Sequence, residues 1–175
     1  RGENQSQWAL LHSAASLAQT CEDSDRQLSE HTRTLDTLLD FYTNNIREVD
    51  RIQREFEQAA GDLLDSGGAS IEVISQTRST YRKLIDKVHG VFVRHIEKSG
   101  WPISGRLSNA DVFDKLVAPK LLESGRRVAY LLIDAMRYEL GVELAKHLGD
   151  AGQIDVQVAC AQMPTVTPVG MATLL

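Results

Sequence analysis

Two side chains in the C-terminal part of the sequence have the types and settings for metal-assisted chemistry. Asp134 closes the apolar run Val128–Ile133 and is followed at once by Arg137, Tyr138 and Glu139, in the stretch VAYLLIDAMRYELG. A carboxylate placed there is either the cap of the following helix or a metal ligand at the mouth of a sheet, where open α/β folds hold their ligands. Thr167 precedes Pro168 in MPTVTPVGMATLL. Proline suits the first helical position because the N–H it lacks is not needed there, so Thr167 is expected as the N-cap. A hydroxyl in that place sits among free N–H groups that favour a phosphate oxygen. It becomes a nucleophile if a divalent metal held by a nearby carboxylate lowers its pKa. Thr165, two residues earlier, is the less favoured candidate. The plainer reading is structural: Thr167 only caps, and Arg137 and Glu139 are solvated helix residues.

The elements that must bring these groups together follow from periodicity. Val128–Ile133 has the length and continuity of a strand covered on both faces. Leu140, Leu144 and Leu148 give residues 137–148 helical spacing, ended by Gly149. Residues 154–160 (IDVQVAC) alternate apolar and polar and predict a second strand, followed by a loop and a helix starting at Pro168. Asn109 is expected to cap a short helix through Val112, Phe113, Leu116 and Leu121. Strand, helix, strand, helix predicts the start of an α/β domain. In a right-handed βαβ unit the two strand ends lie on one side of the sheet, so that Asp134 faces the Thr165/Thr167 loop.

Residues 1–100 have a different period and form a separate region from 101–175. Trp8, Leu10, Leu11, Ala14, Ala15, Leu17 and Ala18 give one amphipathic helix ending near Cys21. Ser24 with Gln27 has the spacing of a capping box for the next. Leu28, Leu35, Tyr42, Val49, Phe56 and Leu63 then recur every seven residues, with His31, Leu38, Asn45, Ile52 and Ala59 at the second seam position. DSGGAS (65–70) breaks the helix, with Ser70 as the next cap. Ile74, Tyr81, Leu84, Val88, Val91 and His95 continue the pattern until Gly100 and Pro102. Two matched seams joined by a short turn predict an antiparallel, coiled-coil-like helical hairpin over residues 24–98. Its polar seam residues His31, Asn45, Thr77 and His95 are read as helix–helix contacts that set register or meet a further bundle partner, not as metal ligands.

Bulk properties narrow the function classes. The net charge of −5 and the absence of a Lys/Arg run argue against non-specific nucleic-acid binding. Cys21 and Cys160 match no metal or redox spacing and are expected as reduced thiols of a cytoplasmic protein. No apolar window reaches a membrane span, and no signal peptide opens the chain. The sequence begins at Arg1 and stops within an apolar helix, as a piece of a longer protein would.

The D-A-M-R-Y-E run at Asp134–Glu139, together with P-T-V-T-P and the G-M-A-T-L-L after it, resembles the opening of the PglZ domain. That family belongs to the alkaline phosphatase superfamily and occurs in bacterial BREX phage-defence systems. Met136 is a mild departure, since the family pattern has leucine there. The likeness covers residues 101–175 and extends to the helical half only in general character. It implies an alkaline-phosphatase-like α/β start, with Asp134 as the first metal ligand and Thr167 as a nucleophile that also bonds a metal. It implies two divalent ions, zinc by preference, whose remaining Asp and His ligands come from beyond Leu175. The expected activity is hydrolysis of a phosphoester, most simply a phosphodiester, with nucleic acid or a nucleotide among the candidate substrates. Two alternatives stand beside it. The helical region could be a non-catalytic scaffold that docks other defence-system proteins, or the chain could belong to a phosphatase or phosphomutase outside phage defence.

Overall fold

The computed structural model describes residues 2–61, 63, 69–125 and 127–175. The chain forms two compact units, Arg1–Lys98 and Ser99–Leu175.

In the first unit helix α1 spans Gly2–Leu28, α2 Leu35–Phe41, α3 Arg47–Gly61 and α4 Ala69–Ser99. α1 buries Leu10, Ala14, Leu17, Cys21, Ser24 and Leu28, a spacing of alternate fours and threes. This is a seam, and it runs straight through the expected helix end at Cys21. Ser24 therefore caps nothing: it lies buried on the seam, and the chain breaks at 29–34 instead. The capping box there is made by Thr34 and Thr37, whose side chains each accept from the other's backbone N–H. Small seam residues (Ala14, Cys21 and Ser24 facing a helix that buries Ala60) let α1 lie closest to α3.

The seven-residue repeat does not survive intact between α2 and α3. A π-turn occupies Tyr42–Ile46. Its wider winding carries Phe41 and Ile46, five residues apart, to the buried face in place of Tyr42 and Asn45. After this shift Val49, Ile52 and Phe56 resume the seam. The displaced Tyr42 turns its hydroxyl onto Asp50 Oδ2 at 2.9 Å, and Tyr81 of α4 donates to Asp50 Oδ1 at 2.8 Å. Two phenols thus satisfy a buried carboxylate that no apolar pattern could announce.

Helix α4 buries Ile74, Leu84, Val88 and Val91 and runs antiparallel to α3, since Arg78 pairs with Glu57 while Tyr81 meets Asp50. It runs parallel to α1, with Lys87 on Asp25 and His95 Nε2 on the Thr32 carbonyl at 2.9 Å. The expected two-helix hairpin is therefore a three-helix arrangement, with α1 as the closer partner of α3. His31 stacks on Phe41 with centroids 4.4 Å apart, and Asn45 reaches Gln27 at 3.2 Å. Of the DSGGAS break, residues 65–68 lie outside the described residues, and Ser70 falls within α4.

The second unit corrects the expected fold class. Among the described residues there is no strand and no sheet; the units are built of helices, turns and unpaired extended chain. The α/β reading, with its alkaline-phosphatase-like sheet start, is overturned. Residues 128–133 bear no ladder, and Leu131 and Ile133 are 74% and 53% exposed. Residues 154–160 meet other backbone at one parallel bridge, between Ser108 and Cys160. A strand requires a partner whose N–H and C=O groups match its own, and an apolar run by itself supplies none. Helix α5 spans Ala118–Leu121, preceded by a π-turn at Phe113–Val117; α6 spans Tyr138–Leu148 and α7 Thr167–Thr173. Both cysteines are free and buried, and burial together with Asp25 pushes the Cys21 thiol up to about 11. No described helix is long and apolar enough to cross a membrane.

Candidate active site

Asp134 and Thr167 come together although 33 residues separate them. Thr167 Oγ1 lies 3.3 Å from Asp134 Oδ1 and 3.2 Å from Oδ2, and donates to the carboxylate. Both side chains are exposed, so the pair opens to solvent. Thr165 is exposed as well but makes no such contact with Asp134. Of the two threonines it is Thr167, the one the sequence favoured, that meets Asp134.

Neither partner acts as a helix cap. The N-cap of α7 is Val166, with Thr167 the first and Pro168 the second helical residue, and no side chain caps this end. The N-cap of α6 is Arg137, again without a side-chain cap bond. Asp134 lies three residues before it, where its Oδ1 accepts instead from the Ala135 N–H at 2.8 Å. Ala135 has φ +55°, the left-handed region, which costs a residue with a Cβ about 1 kcal/mol or more. This turn lets the chain leave the extended run and enter α6 with the Asp134 side chain facing α7.

The approach is held from a distance by two struts. Tyr130 Oη donates to the Leu174 carbonyl at 2.8 Å, seven residues along from Thr167 and four back from Asp134. Seven helical residues rise about 10 Å and four extended ones about 13 Å, so the two segments can meet at both ends. Asn109, buried and not a cap as expected (Ser108 takes that role), is the second strut. Its Nδ2 donates to Thr173 Oγ1 at 2.8 Å, and its Oδ1 accepts from the Gln162 N–H at 3.0 Å. One amide side chain thereby joins α7 to the segment that precedes it. Its backbone N–H also binds the Cys160 carbonyl at 2.9 Å.

The sequence placed Asp134 and Thr167 face to face, as they are, and did not identify what holds them. Glu139, expected in solvent, is 2% exposed at the start of α6. Tyr130 counted only as part of an apolar run, although its hydroxyl was a visible sign that one end needed a partner. Ala135 carried no sign at all.

The donor set can be tested for a metal. A carboxylate and a hydroxyl offer oxygen donors on one side, suited to a divalent cation as two of its ligands. Among the described residues no three His, Cys, Asp or Glu side chains are grouped to hold an ion. The pair therefore fits part of a coordination shell and does not complete one.

Residues 112–175 match the sequence model of the BREX system PglZ alkaline phosphatase-like domain. The alkaline phosphatase-like protein PglZ of Bacillus cereus (strain H3081.97) is 24% identical over 186 residues, which cover 97% of this chain and 20% of the relative. The likeness to the PglZ domain that the two motifs implied thus extends over residues 112–175. The chain spans about a fifth of the length of that relative. No solved structure matches it.

Proposed function

We propose that Asp134 and Thr167 are the nucleophile end of a metal-dependent phosphoester hydrolase site, acting on a phosphodiester within a cytoplasmic phage-defence system. The observation that supports this reading is the approach of Thr167 Oγ1 to both Asp134 oxygens, inside the segment that matches the PglZ domain. In the attack, Oγ1 forms the bond to phosphorus, its proton passes to the Asp134 carboxylate and the ester oxygen leaves; water then cleaves the phosphothreonine ester and restores the hydroxyl. The hydrogen bond keeps the Oγ1 proton on the Asp134 side, which leaves a lone pair of the same oxygen turned to solvent, where a phosphoryl group arrives. Asp134 and Thr167 would be among the ligands of two divalent ions, zinc as first choice. The chemistry such ions supply is positive charge that favours the alkoxide and the developing phosphoryl oxygens.

The test uses the full-length protein and a phosphodiester substrate, with melting temperature and bound metal measured beside turnover. Thr167→Ala should lower turnover by on the order of 1000-fold or more. Its stability should change by less than about 1 kcal/mol, because an exposed hydrogen bond is all it loses. Thr167→Ser should retain measurable activity and Thr165→Ala nearly all of it, whereas Asp134→Ala should lose both metal and turnover. A folded, metal-replete Thr167→Ala protein working at near wild-type rate would overturn the assignment. It would leave the non-catalytic scaffold as the reading to pursue.

A further inference from the structure

Helix α1 has a second apolar stripe, about a third of the way round the helix from the seam it buries. Trp8 is 72% exposed, Leu11 is 45% exposed, and Ala15 and the half-buried Ala18 follow at the same spacing. Positions 8, 11, 15 and 18 alternate by three and four, the repeat of a helix–helix seam. An exposed tryptophan beside an exposed leucine, on a helix already anchored by its own buried seam, is not needed to hold the helix in place.

The charge pattern narrows what covers this face. No Asp, Glu, Lys or Arg occurs between residues 4 and 21, in a chain that is 25% charged. Nucleic acid and an anionic lipid surface both require cations that this face does not have. Depletion of charge is instead the mark of a protein–protein interface core. The order of side-chain sizes then selects the partner. The bulky residues, Trp8 and Leu11, occupy one half of the stripe, and the small ones, Ala15 and Ala18, the other. A copy of the same helix laid antiparallel across it sets Trp8 over the partner's Ala18 and Leu11 over the partner's Ala15, large upon small at all four places. A parallel copy would set large on large and small on small. The absence of charge also lets two chains of net charge −5 meet here without local repulsion.

We infer that this stripe of α1 is a two-fold interface between two copies of the protein, with the helices antiparallel about the level of residue 13. The short stripe corresponds to a weak association, with a dissociation constant on the order of 10 μM. Sedimentation or light scattering of the full-length protein over a concentration series reads it. The expected result is a mass that doubles with concentration, with Leu11→Glu weakening the association at least tenfold while the helical content and melting midpoint stay as in wild type. Ala15→Arg, at an exposed position, is a second variant with the same expected effect should Leu11→Glu disturb folding. Orientation is read by oxidative cross-linking: Trp8→Cys and Ala18→Cys proteins should link to each other when mixed. Neither should link to itself, since two copies of residue 8 lie about 15 Å apart along the antiparallel pair. A monomer at every concentration up to about ten times the expected constant overturns the proposal. So does a dimer indifferent to both charged variants, or self-linking of the Trp8→Cys protein.

Discussion

The two units of this chain are held by different means. Residues 1–98 are cemented by side chains such as Leu17, Phe41, Ile46, Val49 and Phe56, all but closed to solvent, along helices that lie side by side. Residues 99–175 bury far fewer apolar side chains, leave Leu122 and Leu131 in solvent, and depend on individual hydrogen bonds from Asn109, Tyr130 and Trp101. Apolar burial is non-directional and accumulates over a surface. A hydrogen bond fixes one atom relative to another and contributes only about 1 kcal/mol net. The candidate chemistry lies in the unit built on the second principle. There an oxygen must stand within about 3 Å of its partner, and much of the surrounding chain is open to solvent.

The sharpest way to break this contrast is a core deletion. Phe56→Ala should destabilise residues 1–98 by about 3–5 kcal/mol, through lost transfer energy and the cavity left behind. Urea unfolding followed by helical signal, with amide exchange resolved by unit, should show the loss in α1, α3 and α4. Exchange around residues 130–134 and 167–174 should be little changed. A comparable loss in both units would mean that they unfold as one and that the contrast is false.

A smaller effect is expected in the second unit. Asn109→Ala removes one donor and one acceptor from a buried position and leaves the Thr173 hydroxyl and the Gln162 N–H without that partner, at a cost of about 1–3 kcal/mol. Its informative readout is position, not stability. Exchange at 160–162 and in α7 should rise, and any turnover by the full-length protein should fall through misplacement of Thr167 while metal content is kept. The smallest effect is expected of Tyr130→Phe, which keeps the ring against Phe113 and deletes only the hydroxyl on Leu174, for about 1 kcal/mol. If Tyr130→Phe disturbed α7 more than Asn109→Ala, the order of the two struts would be reversed.

Much of the helical unit was legible because its apolar residues recur at helical spacing, and burial acts on each residue in proportion to its surface. The seam residues Leu35, Leu38, Val49, Ile52, Phe56, Ile74, Leu84, Val88 and Val91 are buried where the spacing placed them. Two things escaped it. Ser24 looks like a cap and is a seam residue, because the partner helix that covers it is remote in sequence. The π-turn at Tyr42–Ile46 puts Phe41 and Ile46 on the seam in place of Tyr42 and Asn45, and the buried Asp50 that Tyr42 then meets has its second phenol from Tyr81, 31 residues away.

For the candidate site, residue types and motif order were enough to single out Asp134 and Thr167 as candidates, since a carboxylate after an apolar run and a threonine before a helix-starting proline are local features. The sequence by itself determined which residues are apolar, which can donate or accept, where helices can start, and which family's motifs residues 134–139 and 164–175 carry. Only the tertiary structure decided that the two apolar runs form no ladder, because pairing belongs to two segments at once. The same holds for Thr167 meeting Asp134 in place of capping α7: that preference depends on a left-handed turn at Ala135 and on struts from Asn109 and Tyr130, each defined by a partner distant in the chain.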